Sequence, residues 1–101
     1  MTINDAIRKY RLPSPTCQED LECRWSKVLN FGDKVILAGY YYNGPGKPSY
    51  FGAVYEFIDD GSTVDDGIGL LRSESPIALR EVSEVEFEDD GHAMAWAMQN
   101  A

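Results

Sequence analysis

Ile3, Ala6, Ile7 and Tyr10 fall at i, i+3, i+4 and i+7, the spacing of one helix face, and predict a short helix over 3–10. Leu12-Pro13-Ser14-Pro15 breaks it. From residue 16 the pattern supports two elements. Thr16-Cys17-Gln18-Glu19 has the form of a capping box, and Cys17, Leu21, Trp25, Val28 and Leu29 continue at helical spacing to a stop at Asn30-Phe31-Gly32-Asp33. The competing element is a strand from Cys23 to Leu29 that turns at Phe31-Gly32 into the next strand. Agreement between cap and spacing favours the helix.

The pattern then changes period. Residues 34–43 are rich in β-branched and aromatic side chains and predict a strand. A loop at Gly44-Pro45-Gly46-Lys47-Pro48 and a second strand over 49–58 complete an antiparallel hairpin. A turn-rich acidic stretch leads to a third strand over 68–73, and Ser75-Pro76 offers a helical turn. Val82 to Glu88 reads as a fourth strand, with Val85 and Phe87 on one face and Glu84, Glu86 and Glu88 on the other. Asp89-Asp90-Gly91 caps a last helix over His92-Ala93-Met94-Ala95-Trp96-Ala97-Met98-Gln99.

The expected fold class is α+β: a three- to four-stranded antiparallel sheet, two N-terminal helices and one short C-terminal helix, with the helices on one face. The length of 101 residues makes 1–101 a single domain. The expected core is Ile7, Leu21, Trp25, Val28, Ile36, Val54, Leu70, Val85, Phe87 and Trp96.

Charge adds what periodicity omits. The net charge of -8 is uneven: residues 1–50 carry +2 and residues 51–101 carry -10. The overall sign argues against direct nucleic-acid binding and for a basic partner. The start of the chain lacks a basic region followed by an apolar run, and no stretch approaches a membrane span of ~20 apolar residues. These features predict a cytoplasmic protein with no membrane partner. Cys17 and Cys23, ~9 Å apart along a shared helix axis, are expected to be reduced thiols.

The chain carries few motifs of catalytic or metal chemistry. The segment Gly44-Pro45-Gly46-Lys47-Pro48-Ser49 lacks the early glycine of a phosphate loop, and Pro48 removes an amide from the cradle. The run from Asp59 to Gly67 fits no register of a calcium loop. A single histidine, His92, at a helix start offers neither a zinc set nor a catalytic triad. The expectation is no cofactor, no metal and no enzyme activity.

Two features remain. Tyr40, Tyr41, Tyr42, Tyr50, Phe51, Tyr55 and Phe57 crowd one hairpin, where cross-strand packing competes with a partner surface anchored by Tyr41 or Tyr50. The second is acidic patterning. Asp59, Asp60, Asp65 and Asp66 share one loop, while Glu84, Glu86 and Glu88, extended by Asp89 and Asp90, would line one strand face. Such charge either solvates the domain or meets Lys and Arg normally engaged by phosphates.

Small size, acidity and the absence of a catalytic set resemble the anti-CRISPR type of phage and mobile-element inhibitor. The segment from Glu88 to Ala97 looks like the short capped C-terminal helix of many small phage proteins. The resemblance implies a DNA-mimicking inhibitor in a bacterial host that docks on the basic nucleic-acid site of a CRISPR effector. The same physics suits an immunity protein for a basic nuclease toxin. A different expectation is a non-inhibitory adaptor or structural subunit, a homodimer through the aromatic hairpin.

Overall fold

In the computed structural model, residues 2–42, 44–58 and 76–101 are described. The order is α1 (Ile3–Tyr10), α2 (Gln18–Arg24), β1 (Lys27–Phe31), β2 (Lys34–Tyr41), β3 (Ser49–Phe57), β4 (Ile77–Val82) and α3 (Asp90–Asn100). The strands form one antiparallel sheet in the order β1-β2-β3-β4, so the fold is α+β. The predicted strand over 68–73, Leu70, and Asp59, Asp60, Asp65 and Asp66 lie outside the described residues.

The first helix forms where the periodicity places it. Thr2 and Asp5 make a reciprocal capping box: the Thr2 hydroxyl accepts from the Asp5 amide, and the Asp5 carboxylate accepts from the Thr2 amide. The segment 16–29 divides between its two readings. A helix runs only to Arg24; Trp25 is extended, its amide donating to the Leu21 carbonyl at 2.8 Å, and β1 follows. Pairing with β2 satisfies the backbone over Lys27–Phe31, and Gly32 takes the positive φ (64°) that its two-residue hairpin turn requires. Thr16 is not the cap. Its backbone exchanges hydrogen bonds of 2.9 and 2.7 Å with Ile77 at the outer side of β4, and Cys17 occupies the N-cap without a side-chain bond. Both cysteines are free.

The helices cover both faces of the sheet, not one. Ala6, Tyr10, Leu12 and Leu21 pack with Val35, Leu37, Phe51, Ala53 and Tyr55 on one side. Ala93, Met94 and Ala97 pack with Ile36, Ala38 and Val54 on the other. The centres of β2 and β3 are therefore buried on both faces, which is why 35–38 and 51–55 read as near-continuous apolar runs. Among the described residues no helix is long and apolar enough to cross a membrane.

The last strand departs most from expectation. Residues from Ile77 form β4, where a helical turn was expected, and β4 ends at Val82, where a strand was expected to begin. Ser83 explains the ending. Its amide donates to the Gly52 carbonyl at 2.9 Å, and its buried hydroxyl accepts from the Gly52 amide at 3.1 Å, so one residue replaces a strand partner. Pairing resumes only at Tyr50–Phe87, so Glu84, Val85 and Glu86 together oppose the single residue Phe51. Val85 is consequently 60% exposed rather than in the core. Leu21, Val28, Ile36 and Val54 are buried as expected, and Ile7, Trp25, Phe87 and Trp96 pack at the core's margin. Ser83→Ala should leave the buried Gly52 amide without this acceptor and cost ~1–3 kcal/mol, read as a lower urea midpoint; an unchanged midpoint would refute the role given to the hydroxyl.

Candidate functional site: a cationic and aromatic cleft

Glu84, Glu86 and Glu88 do not share a surface strand, because the chain leaves the sheet at Ser83. The Glu86 carboxylate is engaged: Oε1 accepts from Lys9 Nζ at 3.2 Å and from the Tyr41 hydroxyl. Asp89 is the N-cap of α3 and accepts the His92 amide at 2.7 Å; Asp90 opens that helix. The His92 ring lies 2.9 Å from Asp89 and faces solvent. Tyr41 and Tyr50 are both half-buried, Tyr50 beside the α3 core and Tyr41 beside the α1 core. Among the described residues no group of His, Cys, Asp or Glu is placed to hold a metal ion.

A different group of side chains converges. The α1 helix ends at Tyr10, and Arg11 follows in the left-handed region at φ 57° with its amide donating toward α1. This tight ending sets Lys9, Tyr10 and Arg11 beside one another. The last turn of α2 contributes Arg24, followed by Trp25, and the end of β2 contributes Tyr40, Tyr41 and Tyr42. Together these residues line a recess of about 320 Å³. That volume sits at the lower end of the ~300–1,000 Å³ usual for small-molecule pockets.

The floor of the recess is closely packed. Tyr10 stacks on the fully buried Phe51 with ring centroids 4.0 Å apart, and Trp25 meets Phe51 edge-on at 5.7 Å. Gly39 permits this packing, since a Cβ there would lie 2.6 Å from the Phe51 ring. The rim is open: Tyr40 is 48% and Tyr42 64% exposed. The Tyr10 hydroxyl and the Trp25 indole nitrogen are closed to solvent, with no hydrogen-bond partner among the described residues.

Electrostatics sorts the three cations. Lys9 is committed to Glu86, and its ammonium lies 5.3 and 5.5 Å from the centroids of Tyr10 and Tyr41. Arg24 lies over Trp25 at 6.0 Å. Neither Arg11 nor Arg24 forms an ion pair among the described residues. The Tyr41 hydroxyl, then Lys9, hold the Glu86 carboxyl below its ordinary value, while Glu86 holds Lys9 above its own. Burial pushes the Tyr10 and Tyr41 hydroxyls up.

The depressed Glu86 contributes stability above the ordinary carboxylate value of 4.5, lost as pH falls through its folded value. The raised Lys9 contributes below 10.5 and fades as pH rises through its folded value. Tyr41→Phe should therefore raise the Glu86 titration midpoint toward the ordinary value, as followed by carboxyl-carbon NMR. A midpoint unmoved by the substitution would show that the hydroxyl does not hold this carboxylate.

Fold and cleft define a small α+β domain with a cationic, aromatic recess at the junction of α1, α2 and β2. The chain belongs to the family described as nucleotide modification associated domain 4, Nmad4, which matches residues 12–101. The match includes Arg24, Trp25 and Tyr40 to Tyr42 but begins after Lys9, Tyr10 and Arg11. No curated protein and no solved structure matches the chain.

Proposed function

We propose that this chain is a non-catalytic binding domain that holds a nucleotide in the cationic and aromatic cleft, in the service of nucleotide modification. The observation that carries the reading is the meeting of Lys9, Arg11 and Arg24 with exposed aromatic rings in one 320 Å³ recess. A nucleotide has complementary parts. Its base offers a π-face, and stacking on an aromatic side chain is worth ~1–3 kcal/mol. Its phosphate suits the planar donor fork of arginine. The family's description supports the same direction. The net charge of -8 argues against a long polyanion on the domain at large, but the recess is locally basic.

Amide and indole NMR during titration with the four deoxynucleoside monophosphates and short oligodeoxynucleotides tests this. Saturable shifts should centre on Trp25, Tyr40 and Arg11 and disappear in Trp25→Ala. No shift at the cleft with any of these probes at millimolar concentration would refute the reading.

A second reading is favoured by Val85, exposed beside Glu84 and Glu81 on a groove of about 620 Å³ along β4. An apolar residue in an acidic rim suits docking on a basic protein, as an anti-CRISPR-type inhibitor, an immunity protein or an adaptor would dock. Glu84→Lys with Val85→Asp should abolish capture of such a partner and leave nucleotide titration unchanged; capture unaffected by the pair would refute it.

A further inference from the structure

We infer that the occupant of the cleft is a free nucleoside monophosphate, not a nucleic-acid strand. The inference rests on the nucleotide reading above and names its ligand class.

The charges available set the first limit. Glu86 already neutralises Lys9, so Arg11 and Arg24 are the cleft's uncommitted cations among the described residues. Two guanidinium groups match one terminal phosphate dianion. A strand carries a charge at every nucleotide, and its binding depends on neutralising several phosphates together. Beyond the cleft the strand would meet the wrong sign. The adjoining recess is lined by Glu88 and Asp89 beside the paired Glu86, with Lys47 as its basic residue. These carboxylates act over a screening length of ~8 Å at physiological salt.

The rings set the second limit. Proteins that hold single strands stack successive bases on successive aromatic platforms. Here the neighbouring rim rings are perpendicular: Trp25 and Tyr40 stand at 87°, and Tyr40 and Tyr42 at 90°. Perpendicular rings form one corner, with one ring face against a base and another ring edge beside it. They do not form a ladder. The arrangement therefore places the base in the corner of Trp25 and Tyr40 and the phosphate across Arg11 and Arg24.

Calorimetric titration of the full chain at fixed salt distinguishes the occupants. The probes are the four deoxynucleoside 5′-monophosphates, the matching nucleosides, inorganic phosphate, and thymidine oligomers of four and twelve residues. At least one monophosphate should bind, and its nucleoside should bind at least tenfold more weakly. The oligomers should bind no more tightly than the monophosphate. Arg11→Ala with Arg24→Ala, both surface changes verified as folded by circular dichroism, should remove the difference between monophosphate and nucleoside. Affinity rising tenfold or more from monophosphate to the twelve-residue oligomer would overturn this inference while leaving the nucleotide reading intact. Equal binding of nucleoside and monophosphate would overturn it too, because the arginines would then hold no phosphate. Silence from every probe would overturn both readings together.

Discussion

Gly52→Val should destabilise the domain by ~3 kcal/mol and loosen α3 from the sheet, with alanine costing about 1–3 kcal/mol. The reason is distance. A Cβ at Gly52 would stand 2.6 Å from the backbone carbonyl of Ala93 and 2.7 Å from Cε3 of Trp96. Trp96 is partly buried and has some room to rotate, but the carbonyl belongs to the helix and moves only if α3 moves. The same residue is fixed from its other side, because its amide and carbonyl are both bonded to Ser83. The sheet thus has no easy retreat from the helix. A lower urea midpoint and a red-shifted Trp96 emission are the expected readouts. Gly91 is the control: a Cβ there meets only Asp89 Oδ1 at 3.4 Å, and Gly91→Ala in the first turn of α3 should be neutral or stabilise by ~0.5–1 kcal/mol. If valine at 52 were as mild as alanine at 91, close packing of α3 on β3 would be the wrong account.

What sequence reasoning reaches here is set by the range of the interactions. The helix at Ile3–Tyr10 and the hairpin of β2 and β3 depend on neighbours within a few residues, and both emerge from spacing and β-branched content. The two competing elements at 16–29 each prove right for part of the segment, because Leu21 and Trp25 serve a helix end while Val28 and Leu29 pair with Leu37 and Ile36. Nothing local announces that division. The end of β4 at Ser83 is longer-range still. A serine in an alternating run reads as one more strand residue until its hydroxyl is seen on Gly52, thirty-one positions earlier. The glutamate face inferred from 84–88 fails for that one reason.

The cleft was half legible. The basic excess of the first half and the aromatic crowding around Tyr40 to Tyr42 are both visible in the chain. Their meeting is not, since Lys9, Arg24 and Tyr41 lie on α1, α2 and β2, and only the packing of Tyr10 and Trp25 on Phe51 joins them. The pairing of Lys9 with Glu86 spans seventy-seven positions. It turns a residue counted as acidic surface into one that tunes a basic recess. Net charge averages this locally cationic recess against acidic residues elsewhere, so it does not register the recess.

Phe51→Ala should be the most damaging single change, costing ~3–5 kcal/mol, because it empties the space on which both the core and the cleft are built. Phe51 is fully buried and stacks with Tyr10 at 4.0 Å, with Trp25 at 5.7 Å and Tyr41 at 6.4 Å on its other sides. Three of its contacts are thus cleft residues, so stability and the proposed nucleotide binding share one support. The two effects separate in Phe51→Leu. Leucine keeps much of the apolar volume and should cost roughly 1–2 kcal/mol, leaving a folded domain at 25 °C. It lacks a ring face, however, and Tyr10 and Trp25 lose the partner that fixes their planes. Nucleotide affinity should then fall several-fold while the denaturation midpoint falls only modestly. If Phe51→Leu binds nucleotide as the parent does, the ring stack is packing alone and the cleft does not depend on its orientation. If Phe51→Ala loses less than ~1 kcal/mol, the neighbouring aromatics have collapsed into the space, and Phe51 is not the support that its position implies.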